Sequence, residues 1–310
     1  LIDLTRGVLA LEPDLIVWPE TAMPVPSQNW ADDIRQVPAW RRVAELLPVD
    51  DDAALLIGTM AIEGPPRPRL YNAALLVDGP NGVRGAYAKQ HLVPFGEYVP
   101  FESRFPALGA LSPMGWSCSP GLRPVVFELT AGRTFAAMIC FEDVFPDLVR
   151  RLVRAGARAL VNLTNDAWFD GSAAAEQHLS HSVLRAVENR VQVVRAANTG
   201  VSGFIDRTGR IQARIAPDER GGPVSATLLS GVELPPPGSP PTRYTRLGDW
   251  ALAAPCALAT GAVLLLALIP PRRKGKNAPS NVPTPGGKNP DALAAPVARP
   301  PDARMETQDD

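Results

Sequence analysis

The sequence predicts an α/β domain followed by one long apolar helix. Three observations carry that reading. Short apolar runs alternate with helical patterns over roughly the first 240 residues, as stacked sheets and helices require. A proline-rich break, Pro235-Pro-Pro-Gly-Ser-Pro-Pro241, ends the alternation. Beyond it, residues 250–269 form a run of 20 without a charge.

Taken in order, a helical pattern over residues 1–11 leads into the first strand, 15–18. Further strands are expected over 54–60, 72–77, 134–140, 159–163, 191–196 and 202–205, each a short run rich in apolar side chains. Helices are expected over 147–155 and 173–190; Leu148, Val149, Leu152 and Val153 mark one face of the former, and Gly156 is placed to stop it. Residues 94–121 are dense in Pro, Gly and Ser and read as a long loop, which in a compact domain usually serves function.

The apolar run would span about 30 Å at about 1.5 Å per residue, the thickness of one hydrocarbon core. Tyr244 and Trp250 suit one interface, and Arg272, Arg273, Lys274 and Lys276 crowd the other end. A buried Ala-rich core helix is the alternative. The basic flank orients the tail to the cytoplasm and the globular domain across the membrane. Residues beyond 270 are Pro, Ala, Gly and charge, and are expected to be disordered. The expected organisation is a catalytic domain over 1–234, a linker over 235–246, a transmembrane helix over 247–270 and a disordered tail over 271–310.

Composition narrows the function. A chain of 310 residues with 45% apolar content can bury a full core. Its formal charge of −1 offers no electrostatic case for nucleic acid. Cys118, Cys140 and Cys256 are too widely spaced for a metal pattern or a disulfide framework. His91, His178 and His181 show no metal spacing either, and packing or surface roles are expected of them. There is no initiator Met and no signal peptide, and the chain opens inside a helical pattern, so a fragment of a longer protein is expected.

The chemistry lies in three segments. Phe135-Ala-Ala-Met-Ile-Cys140 is an apolar run that stops at Phe141-Glu142-Asp143, delivering a thiol to the polar rim of a strand. Leu15-Ile-Val-Trp-Pro-Glu20 and Gly85-Ala-Tyr-Ala-Lys89 each end in one ionisable residue. Taken singly, Glu20 could be a solvated strand end, Lys89 a surface lysine and Cys140 a small buried hydrophobe. Together they supply a general base, a cation and a nucleophile, the set that acyl transfer through a thioester needs.

Around these residues stand Val17-Trp-Pro-Glu20-Thr-Ala-Met-Pro24, Tyr87-Ala-Lys89-Gln-His-Leu-Val-Pro-Phe-Gly-Glu97-Tyr-Val-Pro-Phe101 and Ile139-Cys140-Phe-Glu142. Further on come Asn162-Leu-Thr-Asn-Asp-Ala-Trp168-Phe169, Gln177-His178, Arg195-Ala-Ala-Asn198-Thr-Gly200 and Gly248-Asp-Trp250. In these motifs the chain resembles the nitrilase (carbon–nitrogen hydrolase) superfamily and, within it, the apolipoprotein N-acyltransferase family. The resemblance implies an α-β-β-α sandwich with a Glu20–Lys89–Cys140 triad and no metal or organic cofactor. It implies a ping-pong reaction in which a membrane phospholipid donates an acyl chain to Cys140. The N-terminal amine of an S-diacylglyceryl apolipoprotein would then accept it, at the periplasmic face of the bacterial inner membrane. A membrane-tethered amidase of the same fold, acting on a small amide, is the competing reading; a silent binding domain would have no need of all three triad residues.

The same resemblance implies supporting roles beside the triad. Glu97 matches a further essential acid, with a loop-orienting salt bridge as the alternative. Phe141 and Glu142 match residues that shape the pocket, and Trp168 with Asn165 and Asp166 borders it or serves a turn. Phe105, Leu108, Leu111, Met114 and Trp116 make the 101–116 stretch a candidate lipid-facing lid or a satellite core. Three departures stand out: the sequence lacks the family's N-terminal membrane helices and is expected to be the nitrilase half of a larger enzyme, Asp170-Gly171 follows Phe169 where the family has Gly, and the tail beyond Arg273 is longer than the resemblance implies.

Overall fold

The computed structural model describes residues 1–28, 30, 38–47, 53–65, 68–78, 82–112, 115–130, 132–169, 172–216 and 224–269. Met114, the Asp170-Gly171 departure and the tail beyond 270 lie outside them. The chain divides into two units, Leu1–Ala259 and Thr260–Asp310.

The first unit is built in four layers. Strands β1 (Leu15–Gln28), β2 (Ala54–Glu63), β3 (Arg69–Asp78) and β4 (Gly82–Ala88) form one sheet in that order. Strands β5 (Phe127–Glu128), β6 (Thr134–Ile139), β7 (Ala159–Thr164), β8 (Gln192–Ala197), β9 (Ser202–Ile205) and β10 (Ile211–Ile215) form the other, ordered β10-β9-β8-β7-β6-β5. Within it β6, β7 and β8 run parallel, with antiparallel strands on both flanks.

Alternation along each strand assembles the layers. On β2, Ala54 and Leu56 face the second sheet, while Leu55 and Ile57 face outward under α1 (Ile2–Leu9) and α2 (Pro38–Ala44). On β6, Phe135, Ala137 and Ile139 meet the first sheet, while Ala136 and Met138 pack under α3 (Pro146–Arg154) and α4 (Ala174–Asn189). Strands covered on both faces need apolar residues at every position, so β2, β3, β6 and β7 read as continuous runs. The architecture is therefore α-β-β-α. Trp18 Nε1 donates to Thr5 Oγ1 at 2.9 Å, tying α1 to β1.

Most expected strands appear with small shifts, but two differences concern the site. The first strand continues to Gln28, so Glu20 lies inside it and not at its end. The 134–140 run closes at Ile139, and Cys140 opens a 3-10 turn over Cys140–Val144. The long loop carries its own 3-10 turn, Pro106–Leu111. The short helices α2 and α5 (Arg243–Leu247) and the two-residue strand β5 have too little periodicity to be foreseen, whereas β10 does carry a strand signal in its alternating Ile-Gln-Ala-Arg-Ile.

After the proline-rich segment, α5 docks on the outer helices. Thr242 caps it, accepting from Thr245 N, and Thr245 Oγ1 donates to Asn189 Oδ1 at 3.0 Å. Helix α6 (Trp250–Leu268) follows, with 19 residues of mean hydropathy 2.2 and none buried. By length and composition it can cross a membrane, and it is not buried against the described residues as a core helix would be.

Candidate active site

Local backbone exceptions position the site. Pairing between β1 and β2 shifts register between Trp18 and Met23, the interval that holds Glu20. Pro19 has no N–H to contribute to a ladder, and Thr21 takes a left-handed φ of 47°. Opposite, Gly58 makes room: a Cβ there would lie 2.2 Å from the Pro19 carbonyl oxygen. The bulge turns Glu20 into the space between sheet edges, where it is 7% exposed. Cys140 likewise has φ 55°, a strained conformation for a residue with a side chain, and sits where β6 breaks into its turn.

The structure brings Glu20, Lys89 and Glu97 together. Lys89 Nζ lies 2.9 Å from Glu97 Oε1 and 3.5 Å from Glu20 Oε1, with all three side chains at least nine-tenths buried. Asn72 Nδ2 donates to both carboxylates, at 2.7 Å each. The second oxygens are held by backbone: Asn165 N donates to Glu20 Oε2 at 2.9 Å and Val93 N to Glu97 Oε2 at 2.8 Å. Glu97 is thus both a direct partner of Lys89 and the staple of its own loop. Lys89 Nζ also stands 5.5 Å from the centre of the Phe141 ring, the residue beside Cys140.

The charge states follow from this packing. Burial works against the Lys89 ammonium, but Glu20, Cys140 and Glu97 outweigh it and hold its pKa above the ordinary lysine value. Burial raises the Glu20 carboxyl above its usual range, against the pull of Lys89 and Asn72. Burial, then the Glu20 charge, pushes the Cys140 thiol up to about 12, although Lys89 and hydrogen bonds from Thr164 and the Phe141 backbone favour the thiolate. At neutral pH the resting site therefore holds Cys140 as a thiol beside a protonated Lys89, and Glu20 is made more basic by its burial.

Glu142 is fully buried and offers no surface to a substrate. Its oxygens accept from Tyr87 Oη at 2.8 Å and from Gln90 N, His91 N and Ile139 N at 2.6, 3.1 and 2.8 Å. It joins the segment after Lys89 to the end of β6, and burial raises its pKa to about 7. Phe141 is partly buried, edge-on to Phe145 at 5.2 Å. Trp168, on the 3-10 turn Asp166–Phe169, is 66% exposed. Of the lid candidates, Phe105, Leu111 and Trp116 are exposed and Leu108 is partly so, with Phe95 and Phe101 exposed beside them. No residue of Pro106–Leu111 is buried, which argues against a satellite core.

Sequence reasoning gave Asn72 no role. A single polar residue within the apolar β3 run was its only signal. His178, expected to pack or face solvent, is instead 4% exposed within a buried charge cluster. A hollow of about 1060 Å³ opens between β1 and β8, but Glu20, Lys89 and Cys140 are not among its lining residues.

The model of the carbon–nitrogen hydrolase family matches residues 3–233. The chain belongs to the carbon–nitrogen hydrolase family. Its relatives within that family include the apolipoprotein N-acyltransferase of Geobacter metallireducens, 39% identical over 260 residues, which are 82% of this chain and 47% of the relative. That of Rhizobium meliloti is 39% identical over 231 residues, 72% of this chain and 41% of the relative. The chain thus spans less than half the length of these relatives. Among solved structures, an amidase from Nesterenkonia sp. AN1 superposes with a TM-score of 0.52 and 22% identity, covering 82% of this chain and 91% of that one. A double mutant of the same amidase in complex with acrylamide gives 0.53 and 21%, covering 82% and 88%. At that identity the likeness is one of fold: both are carbon–nitrogen hydrolase sandwiches.

Proposed function

We propose that this carbon–nitrogen hydrolase domain is the catalytic part of an N-acyltransferase that matures bacterial lipoproteins. The observation that carries the reading is the buried Lys89 shared by Glu20 and Glu97 beside Cys140, within a chain 39% identical to proteins of that name. Glu20 takes the Cys140 proton as Sγ attacks the ester carbonyl of a phospholipid. Lys89 stabilises the tetrahedral oxyanion, as a fixed cation in a dry site does. The C–O bond breaks, Glu20 returns the proton to the departing alkoxide, and lysophospholipid leaves an acyl thioester. The N-terminal amine of an S-diacylglyceryl apolipoprotein then attacks the thioester carbonyl. Glu20 accepts the amine proton, the C–S bond breaks and an amide forms, with the thiol restored. Thioester energy drives amide formation, so neither ATP nor a cofactor enters.

Helix α6 suits the role of a membrane anchor, with the catalytic domain on the periplasmic side and residues 271–310 in the cytoplasm. The exposed aromatic and apolar side chains of the loop after Glu97, with Trp168, suit a lid that meets lipid.

Intact-protein mass spectrometry tests the reading, after incubating the detergent-solubilised protein with phosphatidylethanolamine beside Cys140→Ala. A hydroxylamine-sensitive gain of one acyl chain, absent from the variant, is the expected result. A folded protein with a reactive thiol and no gain would turn the assignment to hydrolysis of a small amide.

A further inference from the structure

Behind the Cys140 turn lies a charge cluster that the reaction above does not use. Asp143, Asp166, His178 and Arg195 are each at most 4% exposed. We propose that His178 is a positioning residue that fixes the nucleophile and the base relative to one another. The proposal rests on reading Cys140 and Glu20 in those roles.

One arm of the imidazole reaches the nucleophile. His178 Nε2 lies 3.2 Å from Asp143 Oδ1, an ion-pair distance, and neither of these buried atoms makes a hydrogen bond. Asp143 belongs to the Cys140–Val144 turn, and its other oxygen accepts from Asn162 Nδ2 at 2.9 Å and Ser182 Oγ at 2.5 Å. Asn162 Nδ2 also donates to the Cys140 carbonyl at 3.2 Å.

The other arm reaches the base. His178 Nδ1 lies 2.8 Å from Asp166 Oδ1, which Thr164 Oγ1 also approaches at 3.0 Å. Asp166 follows Asn165, whose N–H holds Glu20 Oε2 at 2.9 Å. A single imidazole on α4 therefore spans the two turns that carry the thiol and the donor to its base.

Charge makes the span conditional. The charged and aromatic groups facing His178 are Asp143 on the nucleophile turn, Asp166 on the following loop, Arg195 on β8 and the Phe169 ring at 5.9 Å. Arg195 pairs with both aspartates, at 3.3 and 2.9 Å. Two carboxylates and one guanidinium are neutralised only when the imidazole carries its proton. Burial opposes that proton, but Asp143 and Asp166 win and raise the His178 pKa to about 9. Protonated, it donates through Nδ1 to Asp166 Oδ1 and turns Nε2–H toward Asp143; Arg195 Nη2, 3.0 Å from Nδ1 and itself only a donor, then serves Asp166 Oδ2 at 2.9 Å.

The test is the pH dependence of Cys140 alkylation by iodoacetamide, read by peptide mass spectrometry in the full chain and in His178→Gln. Glutamine cannot carry the charge or bridge both aspartates. The expected result is a folded variant whose Cys140 alkylates at least about tenfold more slowly at neutral pH, with a displaced acid limb set by Glu20. Cys118 serves as the internal reference. Ser182→Ala, which removes one bond to Asp143 and leaves every charge, should move the profile less and in the same direction. A folded His178→Gln with the wild-type rate and profile overturns the proposal. Should that variant not fold, an unchanged Ser182→Ala profile overturns it. Phosphatidylethanolamine separates this from the reaction itself. Altered alkylation in the variant, with no acyl thioester in the wild type, would uphold the positioning role and reject acyl transfer.

Discussion

At the scale of single residues, Asn72 decides how two acids share one lysine. Among the described residues, its amide is the only side-chain group besides Lys89 that donates to both Glu20 and Glu97. A hydrogen bond to a carboxylate favours the charged form, so its loss raises the Glu20 pKa further. Asn72→Ala should therefore move the acid limb of the acylation profile to higher pH and slow acylation at pH 7; an unmoved limb would show that Asn72 is only packing. Glu20→Gln should cost about 100-fold or more in thioester formation measured by quenched mass spectrometry, the usual worth of a positioned base. Asn72 shows where sequence reading stops. Glu20, Lys89 and Cys140 stood out as candidates because each follows a recognisable run, whereas a shared amide depends on β3 lying between β1's bulge and the loop after β4, which spacing does not reveal.

At the scale of elements, the bulge in β1 and the exposed loop make separable claims. Gly58→Ala would drive a Cβ into the Pro19 carbonyl and displace Glu20. It should destabilise by about 1–3 kcal/mol, as overpacking does, and should slow acylation even among folded molecules, seen by pairing a denaturant melt with single-turnover rates. Deleting residues 108–114 should instead leave the melt nearly unchanged, since no residue of Pro106–Leu111 is buried, while phospholipid-dependent acylation falls. Equal loss of both would sink the lid. Strands β2, β3, β6 and β7 were legible because burial on both faces imposes apolar runs. The bulge was not, because it arises from a glycine on the neighbouring strand, 38 positions from Glu20 in the sequence.

At the scale of the whole molecule, two buried groups tie stability to pH with the same sign. Glu142 is raised to about 7 from 4.5 and His178 to about 9 from 6.5, so each binds its proton more tightly in the folded state. Their contributions are complete below the unfolded values and are lost as pH rises through the folded ones. For His178 the loss falls between pH 6.5 and 9 and amounts to about 3 kcal/mol. Denaturant melts at those two pH values should differ accordingly, and His178→Gln should flatten the difference; an equal difference in the variant would place its source elsewhere.

The strained backbone at Cys140 has an energetic consequence. A φ of 55° costs a residue with a side chain about 1–2 kcal/mol that glycine does not incur. Cys140→Gly should therefore lose less stability than the missing thiol alone would suggest, and a melt beside Cys140→Ala, which keeps the strain, measures the difference. Glycine would relieve that strain and forfeit the thiol, so at position 140 backbone comfort and a nucleophile exclude one another.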